Sequence, residues 1–259
     1  MKKVFKSKVV PKKLQQFAQA FPHESWERFR RRSRSGYKEV KAQIFKDQKG
    51  LCAYCEINIK FAEREDDVDE FGVEHFCPKG ETVAGGKNWH LQWDNMLGVC
   101  HGGSQKYVTD ADWRYSSRKN DRSCDIPKAG RNLARTILNP LKIPANTRLF
   151  RYGEQDGRML VDQETCPPHL AKKARNTIRE LNLNARRLQR MRAMVIQALR
   201  EEIEMCMRQG MSLEECLELL AKTFLTPDDK GRCQAFFSVI RWYLGPAAED
   251  FLAKSAYEI

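Results

Sequence analysis

An α+β fold that is mostly helical, wrapped around a small metal-bracketed centre, is predicted by three observations. A C-x-x-C pair, Cys52 and Cys55, is answered far downstream by Cys100 and Cys124. The stretch between reads as short strands and carries Glu74-His75 and Trp93-Asp94-Asn95. Residues 1–49 and the chain beyond Pro167 have helical apolar spacing. Two thiolates near each end can close on one zinc, which takes four tetrahedral ligands and stabilises a segment with little core of its own. The residues thus held, a carboxylate beside a histidine, an asparagine and Asp125, are enough to bind a hard divalent ion and activate a water. Three segments are expected: 1–49, basic and helical; 50–139, the zinc-knuckle core; and 140–259, a β-hairpin followed by helices.

Composition narrows the function. A chain of 259 residues that is 41% hydrophobic can bury a good core. Nine cysteines without a hydrophobic leader favour a reducing cytoplasm, with thiols free or on metal. No apolar run approaches the roughly 18 residues needed to span a bilayer, so solubility and no membrane partner are expected. The net charge of +12 is unevenly placed: residues 1–49 hold 15 Lys/Arg against Glu24, Glu27, Glu39 and Asp47. Such a segment suits a polyanion, because Lys and Arg displace counterions from phosphates. Arg28, Arg30, Arg31, Arg32 and Arg34, interleaved with Trp26, Phe29 and Tyr37, favour nucleic acid over a merely solvated basic helix.

In chain order, Lys2 to Val10 reads as extended or frayed. Pro11 opens a helix with Leu14, Phe17, Ala18 and Phe21 on one face. After Pro22, His23 or Ser25 starts a second stretch, interrupted near Ser35-Gly36 and resuming from Tyr37 to Gln48, with Gly50 at C′. Cys52 to Cys55 is the knuckle turn, with a short strand near Glu56 to Ile59. The acidic run Glu63 to Glu70 reads as a solvated loop rather than a metal site. Val73 to Phe76 is the first strand of a ββα unit, Gly80 to Lys87 its loop, and Leu91 to Val99 the second strand with an Asn-bearing turn. Gly102 to Ser123 is a polar insertion. A helix is expected over Ile126 to Leu138, opened by Asp125. Leu149 to Tyr152 and Arg158 to Val161 read as a hairpin turning at Asp156-Gly157. Helices follow over His169 to Leu181, Ala185 to Met207, Leu213 to Phe224 and Asp228 to Leu244, with a Ser212/Glu215 capping box.

The order C-x-x-C, then Glu74-His75, then Asn95 ahead of Cys100, then Cys124-Asp125-Ile126-Pro127-Lys128 resembles a zinc-bracketed HNH (ββα-metal) endonuclease. The segments Val73 to Gly80, Trp93-Asp94-Asn95-Met96-Leu97 and Cys100-His101-Gly102-Gly103-Ser104 are similar to the PtuB family, the HNH component of Septu and retron-associated antiphage systems. The resemblance covers about Gly50 to Asn139, with weaker support at 137–140 and 149–159. One departure stands out: Gly103 occupies the place of the second cysteine of the downstream pair. Cys124, after an insertion, is taken as the fourth ligand, with Cys77 and His101 as competitors. Cys166, Cys206, Cys216 and Cys233 read as buried apolar residues.

The resemblance implies that Glu74 and Asp125 hold a catalytic Mg²⁺ or Mn²⁺, distinct from the structural Zn²⁺ of Cys52, Cys55, Cys100 and Cys124. His75 is the expected general base, since an imidazole of near-neutral pKa can take a proton from water. Asn95 stands for the middle letter of HNH and holds the loop that orients the histidine. In an ideal strand Glu74 and His75 point to opposite sides, so both serve one site only if the strand ends there. Lys128 and Arg131, one turn apart on the expected helix, are candidates to grip phosphates, as are Arg28, Arg31 and Arg32. The resulting expectation is a metal-dependent endonuclease acting on DNA or RNA as the effector of an antiphage system. The resemblance adds a PtuA-type ATPase and a retron reverse transcriptase with its RNA–DNA product as partners. The alternative is a noncatalytic zinc-stabilised module that binds nucleic acid; it needs the cysteines and arginines but not Glu74, His75 and Asp125.

Overall fold

Pro11 fixes the start of the first helix, α1 (Lys12–Ala20), which buries Leu14 and Phe17. The computed structural model describes residues 1–62, 69–82 and 86–258. α2 (Trp26–Arg32) begins at Ser25, whose hydroxyl accepts from Arg28 N at 3.1 Å. The interruption falls at Ser33, not at Ser35-Gly36, and α3 (Arg34–Asp47) runs through Gly36. A Cβ on Gly36 would sit 2.4 Å from Ser33 Oγ and 3.1 Å from the Phe29 ring, so this glycine serves close packing rather than a break. α3 ends in paired reverse bonds, Lys49 N to Lys46 O at 3.1 Å and Gly50 N to Phe45 O at 3.0 Å. Lys49 takes the left-handed C′ position (φ 54°), and Gly50 lies one residue later than expected. The segment before α1 is packed rather than frayed: Val4 is buried, and Ser7 O accepts from Trp93 Nε1 at 2.9 Å.

β1 (Phe71–His75) and β2 (Met96–Cys100) pair antiparallel, from Phe71 opposite Cys100 to His75 opposite Met96. Every residue of β2 is buried because α3 lies across it. Gly98 permits the approach, since a Cβ there would meet Ile44 Cγ2 at 2.7 Å. Gln48 closes the strand edge, accepting from Gly98 N at 2.6 Å and donating to Gly98 O at 2.8 Å and Leu51 O at 2.7 Å. The strand expected over 56–59 is reduced to an isolated bridge between Leu51 and Asn58, because Glu56 turns at φ 63°. Of the acidic run, 63–68 lies outside the described residues, as does 83–85 of the following loop. Asp69 and Glu70 pair with Lys41 and Arg114 at 2.5 and 2.9 Å.

The insertion holds one short helix, α4 (Ala111–Arg114). The helix expected over 126–138 is only a single turn, α5 (Asp125–Lys128). Cys124 (φ 62°) and Ala129 (φ 49°) reverse the chain at its two ends. A separate turn at Leu133 to Ile137 then buries Leu133, Ile137 and Leu138, which accounts for the helical spacing there. A long ββα helix is therefore not part of this core. β3 (Phe150–Tyr152) and β4 (Met159–Val161) form the expected hairpin, with Gly157 at φ 64°.

α6 (Pro168–Glu180), α7 (Arg186–Arg208) and α8 (Leu213–Leu225) follow the expected boundaries, and α8 opens with the full Ser212/Glu215 capping box. The helix expected over 228–244 forms only as α9 (Phe237–Tyr243). Asp228 draws the preceding loop together, accepting from Lys230 N and Arg232 N, while Cys233 N and Phe236 N bond to Lys49 O and Glu56 O beside the knuckle. α10 (Gly245–Ala253) was not anticipated. The larger core draws on Leu14, Ile44, Tyr54, Met96 and Leu188, and a second core joins Leu199 of α7 to α8, α9 and α10. Each such fully buried side chain stabilises by about 1.5–3 kcal/mol. Among the described residues no helix is long and apolar enough to cross a membrane.

Candidate metal centre and active site

Four cysteines from three places in the chain meet in one buried cluster. Cys52 and Cys55 come from the turn after α3, Cys100 ends β2, and Cys124 precedes α5. Their sulfurs all lie within 4.8 Å of one another, with separations of 3.9 Å (Cys52–Cys124), 3.6 Å (Cys55–Cys100) and 3.6 Å (Cys100–Cys124). A tetrahedral ZnS₄ unit with bonds of about 2.3 Å has edges of about 3.8 Å, so the cage fits zinc. Cys100 N also donates to Cys52 Sγ at 3.3 Å. Burial opposes ionisation of Cys52, but hydrogen bonds from Cys100, Cys124 and Cys55 outweigh it and hold its pKa well below the usual thiol value. Hydrogen bonds with Cys100, Cys52 and Cys55, then burial, push Cys124 well above it, so the thiols share protons that a bound ion would displace. Cys124 adopts φ 62° and ψ −126°, a conformation costing a non-glycine residue of order 1–3 kcal/mol. Among the described residues this is the one group of its kind; Cys77 and His101 do not join it.

A second cluster lies beside the cage. Glu74, in β1, and Asp125, at the head of α5, are close enough for the charge of Glu74 to raise the pKa of Asp125. Burial and then Glu74 push Asp125 up to about 7, and burial raises Glu74 against the pull of Lys128. Asp125 Oδ1 and Glu74 Oε1 are buried without a hydrogen-bond partner. Lys128 Nζ lies 2.6 Å from that Glu74 oxygen, but off-axis, as an ion pair only. The Tyr54 hydroxyl, inside the C-x-x-C turn, is likewise buried and unpartnered, and burial followed by the charges of Glu74 and Asp125 suppresses its ionisation. Two neighbouring buried carboxylates suit a magnesium-type ion, which often takes one or two protein ligands and fills its shell with water and phosphate, although Glu74 would have to exchange its Lys128 contact for the ion.

His75 faces elsewhere. β1 does end at His75, as convergence on one site requires, yet the two side chains keep different company. The imidazole is buried, packs edge-on against Trp26 at 5.2 Å, and donates from Nε2 to His90 O at 3.1 Å. A carbonyl only accepts, so Nε2 carries the proton and Nδ1 keeps its lone pair. Burial lowers the His75 pKa to about 4, which keeps the ring neutral at physiological pH. The charged groups that act on it most are Lys79, His90 and Glu27.

Asn95 sits where the turn needs it. Its Oδ1 accepts from Cys77 N at 2.7 Å, and its Nδ2 donates to Cys77 O at 2.9 Å and Trp89 O at 3.0 Å, clamping the chain just after His75. Lys128 is not a surface cation: it is 1% exposed and donates to His75 O at 3.2 Å. The one-turn α5 points it inward to neutralise Glu74, so it cannot grip substrate phosphate. Arg131 lies beyond α5 rather than along a helix, bonded to Glu180 and Pro127 O at 2.8 Å each. Of Arg28, Arg31 and Arg32, Arg28 pairs with Glu24 and Arg32 stands over the Phe21 ring, while Arg31 is exposed and has no partner among the described residues. Lys128 as a counter-charge and Tyr54 were missed in sequence; Tyr54, next to Cys55 in the knuckle, was the available signal.

No protein-family model matches the chain. The chain is 33% identical over 186 residues, 64% of its own length and 68% of the relative's, to an Escherichia coli protein named "Retron Ec83 putative HNH endonuclease". It belongs to the retron HNH endonuclease family. In this retron HNH protein the cysteine cage and the clamped turn at Asn95 stand beside a one-turn α5.

Proposed function

We propose that this protein is a metal-dependent HNH endonuclease that hydrolyses phosphodiester bonds of DNA or RNA. The observation that carries the reading is the buried pair of carboxylates Glu74 and Asp125 beside a four-cysteine cage, with Asp125 Oδ1 lacking a hydrogen-bond partner among the described residues and Glu74 Oε1 met only by the Lys128 ammonium. Unpaired buried oxygens are costly and are kept where something binds them. In this reading Cys52, Cys55, Cys100 and Cys124 hold a structural zinc, and Glu74 and Asp125 hold Mg²⁺ or Mn²⁺. When bound, that ion supplies Lewis-acid stabilisation of charge on the phosphate. Neutral His75, its tautomer set by His90 O, takes the proton of the attacking water at Nδ1. Asn95 holds the turn that presents it. The phosphodiester must then lie across the end of β1, with the carboxylates on one side and the imidazole on the other. The protein would act as the effector of an antiphage system of the PtuB type, with an ATPase partner of the PtuA type and the retron reverse transcriptase with its RNA–DNA product.

A noncatalytic zinc-stabilised binding module is the competing reading, favoured by the different surroundings of His75 and Glu74. Plasmid DNA and total RNA incubated with the protein, alone and with its ATPase, in Mg²⁺, Mn²⁺ or EDTA, separate the two. The expected result is cleavage that requires the ion and is abolished by His75→Ala with zinc content intact. Full activity in that variant removes the histidine from the mechanism, and cleavage indifferent to EDTA removes the ion.

A further inference from the structure

The break at Ser33 gathers three arginines at one junction. Arg30 and Arg31 close α2 and Arg34 opens α3, and together with Glu27 and Tyr37 they line an open cleft. Arg31 and Arg34 are exposed, and among the described residues neither has a carboxylate partner. Arg30 lies 4.8 Å over the Tyr37 ring, which holds its guanidinium in place before any ligand arrives. Among the described residues that line the cleft the one acid, Glu27, is already neutralised by Lys79. Ser33 makes no side-chain cap on α3, so the positive end of that helix faces the same junction.

The cleft is also joined to the candidate base. Tyr37 packs on Trp26 at 5.7 Å, and Trp26 packs on His75 at 5.2 Å. On the other flank Glu27 lies 3.8 Å from His90 Nδ1, and the His90 carbonyl holds His75 Nε2. A strand seated on the arginines would therefore run toward the side of β1 that the His75 ring occupies.

We propose that the Arg30–Arg31–Arg34 cleft is the track along which the sugar-phosphate backbone of a nucleic acid approaches His75. This deepens the nuclease reading and rests on it for the direction of the strand, while binding itself is independent of cleavage. Guanidiniums without carboxylate partners meet phosphates as charge-assisted pairs, and each contact releases counterions. Arg28 and Arg32 stay outside the track because Glu24 and Phe21 already hold them.

The test is fluorescence anisotropy of the zinc-loaded full chain with a short fluorescein-labelled single-stranded DNA, without magnesium, over a range of salt. The R30Q/R31Q/R34Q triple variant is compared with wild type and with an R28Q/R32Q control. The slope of log affinity against log salt is expected to shrink by about 2 in the triple variant, as each lost phosphate contact removes about 0.7. The control is expected to keep the wild-type slope. An unchanged slope in the triple variant overturns the track, and so does an equal loss per charge in the control, which would mean a diffuse field. Cleavage in Mg²⁺ is read in parallel. Tight wild-type binding that the triple variant loses, with no cleavage by either, sinks the nuclease reading and leaves the track standing. Equal binding and equal cleavage by both sinks the track alone.

Discussion

Replacing Asp125 with asparagine should stabilise the zinc-loaded, magnesium-free fold at pH 8. Burial and the neighbouring Glu74 hold the Asp125 carboxyl up to about 7, against an ordinary value of 3.8. The unfolded chain therefore gives up this proton near 3.8 while the fold keeps it to about 7, and stability falls as pH rises between the two. Three units at about 1.4 kcal/mol each set a ceiling of about 4 kcal/mol, fully lost above pH 7. A zinc held by four thiolates would keep a net charge of about −2 beside Asp125, so loading the cage does not lift the push of Cys52, the third contributor, and a gain of about 2–4 kcal/mol within that ceiling is expected. An asparagine side chain has no charge to bury, so the Asp125→Asn variant escapes that cost. For a chain of this size the gain corresponds to a Tm higher by about 5–15 °C. Thermal unfolding followed by circular dichroism from pH 5 to 8 reads it, and the gap should narrow toward pH 5, where wild-type Asp125 is already neutral in the fold. Magnesium should raise the wild-type Tm above pH 7 and leave the variant unmoved. A variant that melts below wild type at pH 8, or by the same margin at every pH, would refute the argument.

Two further outcomes follow from the same region. Asn95→Ala removes three buried hydrogen bonds to Cys77 and Trp89 and should cost about 2–4 kcal/mol in urea unfolding; a loss under about 1 kcal/mol would mean the turn holds without it. Cys124→Ser should lose bound zinc in a chromophoric chelator titration, whereas Cys77→Ser and His101→Ala should keep it. Zinc retained by Cys124→Ser and lost by either of the others would move the fourth ligand.

What could be read in the chain beforehand depended on whether local signals decided the outcome. The capping box at Ser212, the hairpin turn at Gly157 and the stripe of α7 are set within a few residues, and they stand where their patterns place them. The C-x-x-C pair was legible for the same reason. Failures came where distant contacts outweigh local spacing. Leu133 and Ile137 have helical spacing, but they are buried in a turn of their own after Ala129 reverses the chain. Residues 228–236 look helical, yet their backbone bonds to Lys49 and Glu56 across the molecule. Lys128 looked like a surface cation because nothing in its neighbourhood in sequence shows that Glu74 lies over it.

The fourth sulfur shows how far that non-local control reaches. Cys124 N donates to Leu181 O at 2.9 Å, at the end of α6. Arg187, in the first turn of α7 and 2% exposed, bonds to the Ser123 hydroxyl, which lies 3.5 Å from Cys124 Sγ. Arg187 Nε also donates to Asp121 O at 3.3 Å, and the chain makes room for this side chain at Gly103, where a Cβ would come within 2.5 Å of it. A zinc held by four thiolates would carry a net charge of about −2, and a buried guanidinium one hydroxyl away, with no carboxylate partner among the described residues, would offset part of it. Gly103, standing where the family pattern expects a cysteine, thus admits the arginine that positions the cysteine used instead. These bonds from the end of α6 and the first turn of α7 tie the C-terminal helices to the cysteine cage, although they contribute no sulfur of their own.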